Sequence, residues 1–290
     1  QVMHALLHQG HDAVGNVLVG ERARELFLSL PEPVPVDRHS AYPELARAAA
    51  AGESPGSSAG GEQPKFGAYT DRGHVLVKYS AQDDNAVSAR WRDLLLAEHH
   101  ALAVWGTASR VIDVGLQRFL EVPRFDRVGA MGRVGVFSLR ALDAEFVGRA
   151  HEPWPVWVQA LADAKVVQPQ ATQEVALRWA FGVLAGNTDM HAGNVSFISS
   201  EGCPYRLAPV YDMLPMGFAP NRFGEMGQSL QPVMLSPCVA GSVWIQAGRL
   251  AAEYLDRLHA ERAWSPGFAP CLAALTLHVA RAQEQIRRLA

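Results

Sequence analysis

The chain has 290 residues, 49% of them hydrophobic and 19% charged, which excludes a disordered or fibrous protein. Its formal net charge of −3 excludes a general electrostatic pull toward nucleic acid or membrane, and no apolar run is long enough to span a bilayer. The three cysteines, Cys203, Cys238 and Cys271, are too scattered for a zinc site or a disulfide framework, so a reducing, cytoplasmic setting is expected.

The length suffices for two lobes, each with its own core. The chain opens on Gln1 rather than Met, and a further segment ahead of residue 1 is expected. Residues 30–37, LPEPVPVD, read as an extended Pro-rich connector. Residues 52–67, GESPGSSAGGEQPKFG, are too rich in Gly, Ser and Pro for a regular element. HVLVKYS, 74–80, reads as a strand. Over 86–105, Trp91, Leu94, Leu95, Leu102 and Trp105 fall on one face of a helix. Residues 117–127 and 133–139 are strand-like. Residues 173–186 form a helix closed by Gly186. VSFIS, 195–199, and YRLAPVY, 205–211, flank the turn SEGCP as a hairpin, and 243–262 and 269–289 are helical. The pattern is α+β: a strand-rich first part, then a mainly helical one with a hairpin, without internal repeats.

The chemistry concentrates in GNTDMHAGN, 186–194, a polar run placed where an apolar helix stops. Asp189 and Asn194 are five residues apart, and Asp212 follows Asn194 by eighteen, across the hairpin. This order suits phosphoryl transfer. One Asp orients or deprotonates the acceptor hydroxyl, while an Asn and a second Asp supply the hard oxygens that Mg²⁺ prefers. Taken singly, each residue reads equally well as a turn cap; the argument rests on the three together. His191, a further catalytic candidate, either orients Asp189 or packs as a satisfied histidine.

Lys78 lies within the first strand. Glu98 sits on the apolar stripe of the next helix, where a carboxylate is costly unless paired. Lys78 is its natural partner, and a strand Lys held by a helix Glu positions nucleotide phosphates in kinases. The plain alternative is a surface Lys and a helix-edge Glu. The glycines of residues 57–66 would let backbone N–H groups approach phosphates, and Lys65 adds a cation, although the loop is not a Walker A pattern. A protein kinase, a small-molecule phosphotransferase, a metal-dependent nuclease and a regulatory pseudokinase all remain open on these residues.

SSAGGEQPKF, VLVKYS, AEHHALAVWG, VPRFDR, GNTDMHAGNVSF and LAPVYDM follow one another in an order that resembles the HipA-like serine/threonine kinases, the toxins of toxin–antitoxin modules. The likeness spans residues 57–213 and is strongest to the YjjJ (HipH) branch, whose members carry a fused N-terminal helix-turn-helix domain. It implies a bilobed protein-kinase-like fold, with an N-terminal lobe over 1–125 and a helical C-terminal lobe over 126–290. It implies transfer of the ATP γ-phosphate to a protein Ser/Thr, with Asp189 as base and Asn194 and Asp212 on Mg²⁺. The phosphates would lie under Ala59, Gly60, Gly61, Gln63 and Lys65 and on Lys78, which Glu98 holds. Adenine would sit at a hinge that includes Pro123, Arg124 and Phe125. Ser58 would be an autophosphorylation site. An antitoxin-like helix-turn-helix partner, separate or fused ahead of residue 1, would carry any contact with DNA. One position departs from the pattern: family hinges often carry Glu where this chain has Pro123. Proline offers no N–H, so base recognition must rest on neighbouring backbone groups.

Overall fold

The computed structural model describes residues 10–52, 63–149 and 152–289. Two helices that the sequence reading did not anticipate come first, α1 (Glu21–Ser29) and α2 (Arg38–Ala50). The Pro-rich connector ends because Asp37 caps α2, its carboxylate accepting the Ser40 N–H at 3.0 Å.

Strands β1 (Lys65–Thr70) and β2 (Gly73–Tyr79) form a hairpin, and Gly73 turns it with a φ of 86°. The stretch expected to be irregular through residue 67 therefore becomes a strand at Lys65. The cause is tertiary: Phe66 is buried against Tyr42 of α2 and Phe119, with ring centroids 5.4 and 6.4 Å away. Helix α3 (Ala86–Val104) follows, capped by Asn85, and then β3 (Arg110–Val114) and β4 (Gln117–Pro123). These strands make one antiparallel sheet in the order β1-β2-β4-β3, with Lys78 opposite Leu120 and Leu76 opposite Val122.

The strand expected over 133–139 is broken into pieces. A short hairpin pairs β5 (Arg127–Val128) with β6 (Gly132–Arg133); β7 (Val136–Ser138) follows, and α4 (Leu139–Phe146) begins at once. Ser138 stops the strand by turning its hydroxyl onto the Ala141 N–H, an N-cap. Helices α5 (Trp154–Asp163) and α6 (Gln170–Leu184) lead to β8 (Ser196–Ile198) and β9 (Arg206–Leu207), which join β7 in a small sheet. The second strand of that hairpin is shorter than 205–211, in keeping with Pro209, which cannot donate to a ladder. Helices α7 (Gly241–Ala260) and α8 (Ala269–Ile286) complete the chain as expected. Among the described residues no helix is long and apolar enough to cross a membrane.

The apolar stripe of α3 is buried, but largely against the helical half of the molecule. Leu94 and Leu102 share a core with Phe181 of α6, Trp244 and Tyr254 of α7, and Leu275 of α8. The Tyr254 hydroxyl donates to the Ala97 carbonyl at 3.2 Å, and the Trp105 ring meets Phe181 edge-on at 5.6 Å. Helix α3 is thus a shared wall. It holds the strand-rich lobe to the helical lobe and carries Glu98 between them.

Candidate active site

Helix α6 ends at Leu184 with Ala185 as its C-cap, and Gly186 reverses the chain at a φ of 71°. The loop that follows is shaped by its own polar side chains. Asn187, only 4% exposed, accepts the Asp189 N–H at 3.0 Å and donates to the Asp212 carbonyl at 3.2 Å. Asn194 donates through Nδ2 to the Asp189 carbonyl at 2.9 Å. The Gly193 N–H donates to His191 Nδ1 at 3.0 Å. Two asparagines therefore carry the structure of the loop and leave the Asp189 carboxylate exposed. His191 is exposed as well, so it does not pack as a core histidine.

Tyr211 joins this loop to the segment that bears Asp212. Its hydroxyl donates to the Gly193 carbonyl at 2.7 Å and shares a 2.6 Å hydrogen bond with Ser196 of β8. Its ring lies 5.8 Å from that of Phe125. Asp212 itself has a φ of 53°, a left-handed conformation that Asp tolerates better than most residues.

Lys78 and Glu98 meet as their placement suggested. The ammonium donates to both carboxylate oxygens of Glu98, at 2.7 and 2.8 Å, and also pairs with Asp212. Burial opposes the charge on Lys78, yet the Asp212 and Glu98 carboxylates outweigh it and hold the ammonium above the ordinary lysine range. Burial likewise opposes ionisation of Asp212, but Lys78 prevails and keeps that carboxyl below its ordinary value, with Lys65 and His191 adding smaller pulls in the same direction.

Lys78, Glu98, Asp189, His191, Asn194 and Asp212 all line one cleft of about 680 Å³ between the lobes, together with Gln63, Lys65, Pro123, Arg124 and Phe125. Lys65 is the cross-strand partner of Lys78, and Gln63 donates to the Tyr79 carbonyl at 2.7 Å. Arg124 is placed differently from a simple nucleotide contact. Its guanidinium binds Asp126 and reaches Asp12, both near 2.9 Å, and its backbone N–H donates to the His74 carbonyl. With Arg127 and Arg133 it fastens residues 11–15 beside the hinge. Ser58, Ala59, Gly60 and Gly61 lie outside the described residues.

Among the described residues no three His, Cys, Asp or Glu side chains gather as a metal cage. The donors nevertheless fit Mg²⁺, which binds through one or two protein oxygens and keeps the remainder for water and phosphate. Asp212 offers a carboxylate, and Asn194, whose amide nitrogen is spent on Asp189, keeps its oxygen for a ligand.

Sequence reasoning missed Asn187 and Tyr211. Asn187 stood within the quoted polar run and could have been found there; Tyr211 carried no local signal.

The profile of the family described as HipA-like C-terminal domain matches residues 57–253. Toxin YjjJ of Escherichia coli (strain K12) is 36% identical over 302 aligned residues, which cover 99% of this chain and 68% of that protein. A chain of the Shewanella oneidensis MR-1 toxin–antitoxin complex of HipA, HipB and operator DNA superposes with a TM-score of 0.56 at 17% identity, over 80% of this chain and 66% of that one. The Helicobacter pylori proinflammatory kinase CtkA superposes with a TM-score of 0.53 at 10% identity, over 80% of this chain and 94% of that one. The two structures are likenesses of fold, and the fold they share with this chain is bilobed, α+β and kinase-like. The chain spans about two thirds of the length of both YjjJ and the Shewanella chain.

Proposed function

From its membership of the HipA-like family, to which the chain belongs, we propose that it is the kinase portion of a toxin that transfers the γ-phosphate of ATP, with Mg²⁺, to a protein Ser or Thr. The observation that carries this reading is Lys78: it joins Glu98 to Asp212 in a cleft that also holds Asp189 and Asn194.

Each residue has a task there. Asp189 presents an exposed carboxylate that accepts or orients the proton of the acceptor hydroxyl. Asn194 Oδ1 and Asp212 hold the metal. When bound, Mg²⁺ neutralises the charge that develops on the phosphates. Lys78 keeps Glu98 as its anchor and turns from Asp212 to nucleotide phosphate, exchanging one anion for another. Lys65 and Gln63 face the same phosphates from β1 and the segment ahead of it. At the hinge Pro123 has no N–H and that of Arg124 is spent on His74, so the base is read by the Phe125 N–H and by hinge carbonyls.

The residues named for the Gly-rich loop complete the proposal. Ala59, Gly60 and Gly61 cover the phosphates, and Ser58 is an autophosphorylation site whose phosphate, about two negative charges, repels the nucleotide. The Shewanella chain is described with HipB and operator DNA; by analogy, an antitoxin-like helix-turn-helix partner, separate or fused ahead of residue 1, is proposed here, with DNA contacted through it alone.

The test is incubation of the protein with labelled ATP and Mg²⁺, followed by mass spectrometry for phosphoserine on the chain itself, with Asp189→Asn as control. Label on Ser58 in the parent and none in the variant is expected. Label that survives in Asp189→Asn, or transfer to water alone, overturns the proposal.

A further inference from the structure

The segment that the arginines fasten beside the hinge also reaches into the nucleotide cleft, where Asp12 and Val14 form part of the lining. Neither residue has a task in the phosphoryl-transfer chemistry above. Both lie ahead of residues 57–253, the stretch that the family profile matches.

Strand β1 fixes where Asp12 stands. Lys65 and Gly67 share one face of that strand, because alternate residues point the same way, and both line the cleft. Their cross-strand partners are Lys78 and Leu76, and Leu76 in turn lies opposite Val122 beside the hinge. The row of Lys65 and Lys78 serves the phosphates; the row of Gly67, Leu76 and Val122 lies next to the groups that read the base. The two rows are about 7 Å apart, two residues of strand. The sugar that joins base to phosphates has to pass Gly67. A Cβ on Gly67 would stand 3.3 Å from Asp12 Oδ2, so the missing side chain lets the carboxylate lie against the strand at that point.

The hydrogen bonds of Asp12 leave it an acceptor. Oδ1 accepts from Arg127 Nη2 at 2.8 Å and from Arg124 Nη1 at 2.9 Å, while Oδ2 takes only the longer arm of the same Arg124 nitrogen, at 3.1 Å. A carboxylate has about four acceptor positions, and the Asp12 side chain is 37% exposed, so Oδ2 keeps room for a donor. Asp126 also lines the cleft but is spent: its side chain is 6% exposed, and its Oδ2 already accepts from the Gly15 N–H, Arg124 and Arg127. The two guanidiniums of Arg124 and Arg127 balance the two carboxylates, which spares a polyphosphate from net repulsion. Such an acceptor suits a neutral hydroxyl.

We infer that Asp12 is a specificity-determining residue of the nucleotide site, its Oδ2 accepting from the 2′- and 3′-hydroxyls of the ribose. The inference rests on the nucleotide reading of the cleft given above. Arg124 and Arg127 already hold the carboxylate in place, so little side-chain freedom is lost when the sugar arrives. The chain therefore selects ribonucleotides over deoxynucleotides.

ATP and its 2′,3′-dideoxy analogue, each with Mg²⁺, are the probes, titrated into the full chain by calorimetry. The parent is expected to bind ATP roughly tenfold tighter or more, the usual weight of hydrogen bonds to a charged acceptor. In Asp12→Ala that ratio should fall to near one, the loss being confined to ATP. Asp12→Asn, which keeps the shape but not the charge, should lower it several-fold. A segment that merely props the cleft would weaken both nucleotides alike and leave the ratio unchanged. That result in a folded Asp12→Ala, or equal binding of the two nucleotides by the parent, overturns the inference. Should Asp12→Ala not fold, an unchanged ratio in Asp12→Asn overturns it. Binding of neither nucleotide by the parent would defeat the nucleotide reading itself, and the inference with it.

Discussion

The hydroxyl of Tyr211 donates to the carbonyl of Gly193 at 2.7 Å, so the residue before Asp212 is bolted to the residue before Asn194. The two oxygen ligands proposed for the metal thus come from different segments but share one rivet. Removing it with Tyr211→Phe should cost about 1 kcal/mol of stability, the usual size of a lost hydrogen bond. The functional cost should be larger. The Mg²⁺ concentration needed for half-maximal activity should rise while ATP affinity without metal stays level. Equal metal dependence in parent and variant would show that the rivet is structural only.

Asp189 and Asp212 should separate cleanly. Each Asp→Asn change should lower turnover by about a hundredfold or more, the usual weight of a general base or metal ligand. Asp212→Asn should also weaken Mg²⁺-dependent nucleotide binding. Asp189→Asn should leave that binding near normal, because its role arises in the transition state. Nucleotide affinity and single-turnover rate, measured on both variants, check the split.

The Lys78–Glu98 pair is buried, at 8% and 1% side-chain exposure. Among the described residues, Glu98→Ala leaves Asp212 as the only partner of a buried ammonium, and it should cost on the order of 3 kcal/mol, read as a lowered denaturation midpoint. Lys78→Met removes the ammonium instead and should abolish turnover; because it leaves the Glu98 and Asp212 carboxylates without their shared cation, its cost to the fold should be of similar size. A nucleotide-bound structure with Glu98 turned to bulk solvent would contradict the assignment.

Stability should fall as pH drops below about 6.5, the ordinary histidine value. Burial pushes His99 below that value, helped by His100; burial also lowers His100, against the pull of Glu261. Both rings therefore take up a proton less readily in the fold than in the unfolded chain, which binds more protons in this window. The linkage sign makes stability full above the unfolded value and lost as pH falls toward the lower folded values. The carboxylates held low by their partners, Glu121 and Asp126, act only at more acidic pH. Denaturant titrations between pH 7.5 and 5.5 should show the loss, and His99→Gln should shrink it.

Much of this architecture was legible in the chain. The helices α3, α6, α7 and α8 announce themselves because a one-sided apolar face repeats every three to four residues. Asp189, Asn194 and Asp212 were legible because chain distance and one hairpin suffice to bring them together. Lys78 and Glu98 were legible because a carboxylate on an apolar stripe demands a cation, and only a few were near. Other features depended on partners far away in sequence. β1 starts at Lys65 because Phe66 meets Tyr42 and Phe119. Arg124 is fastened at the edge of the cleft because Asp12, 112 residues earlier, lies beside it. Tyr211 is a rivet because Gly193 comes within 2.7 Å across eighteen residues. Periodicity records which face of an element is buried. It carries no record of which polar group arrives opposite once the lobes have packed, and that arrival decides where a buried charge or donor is satisfied.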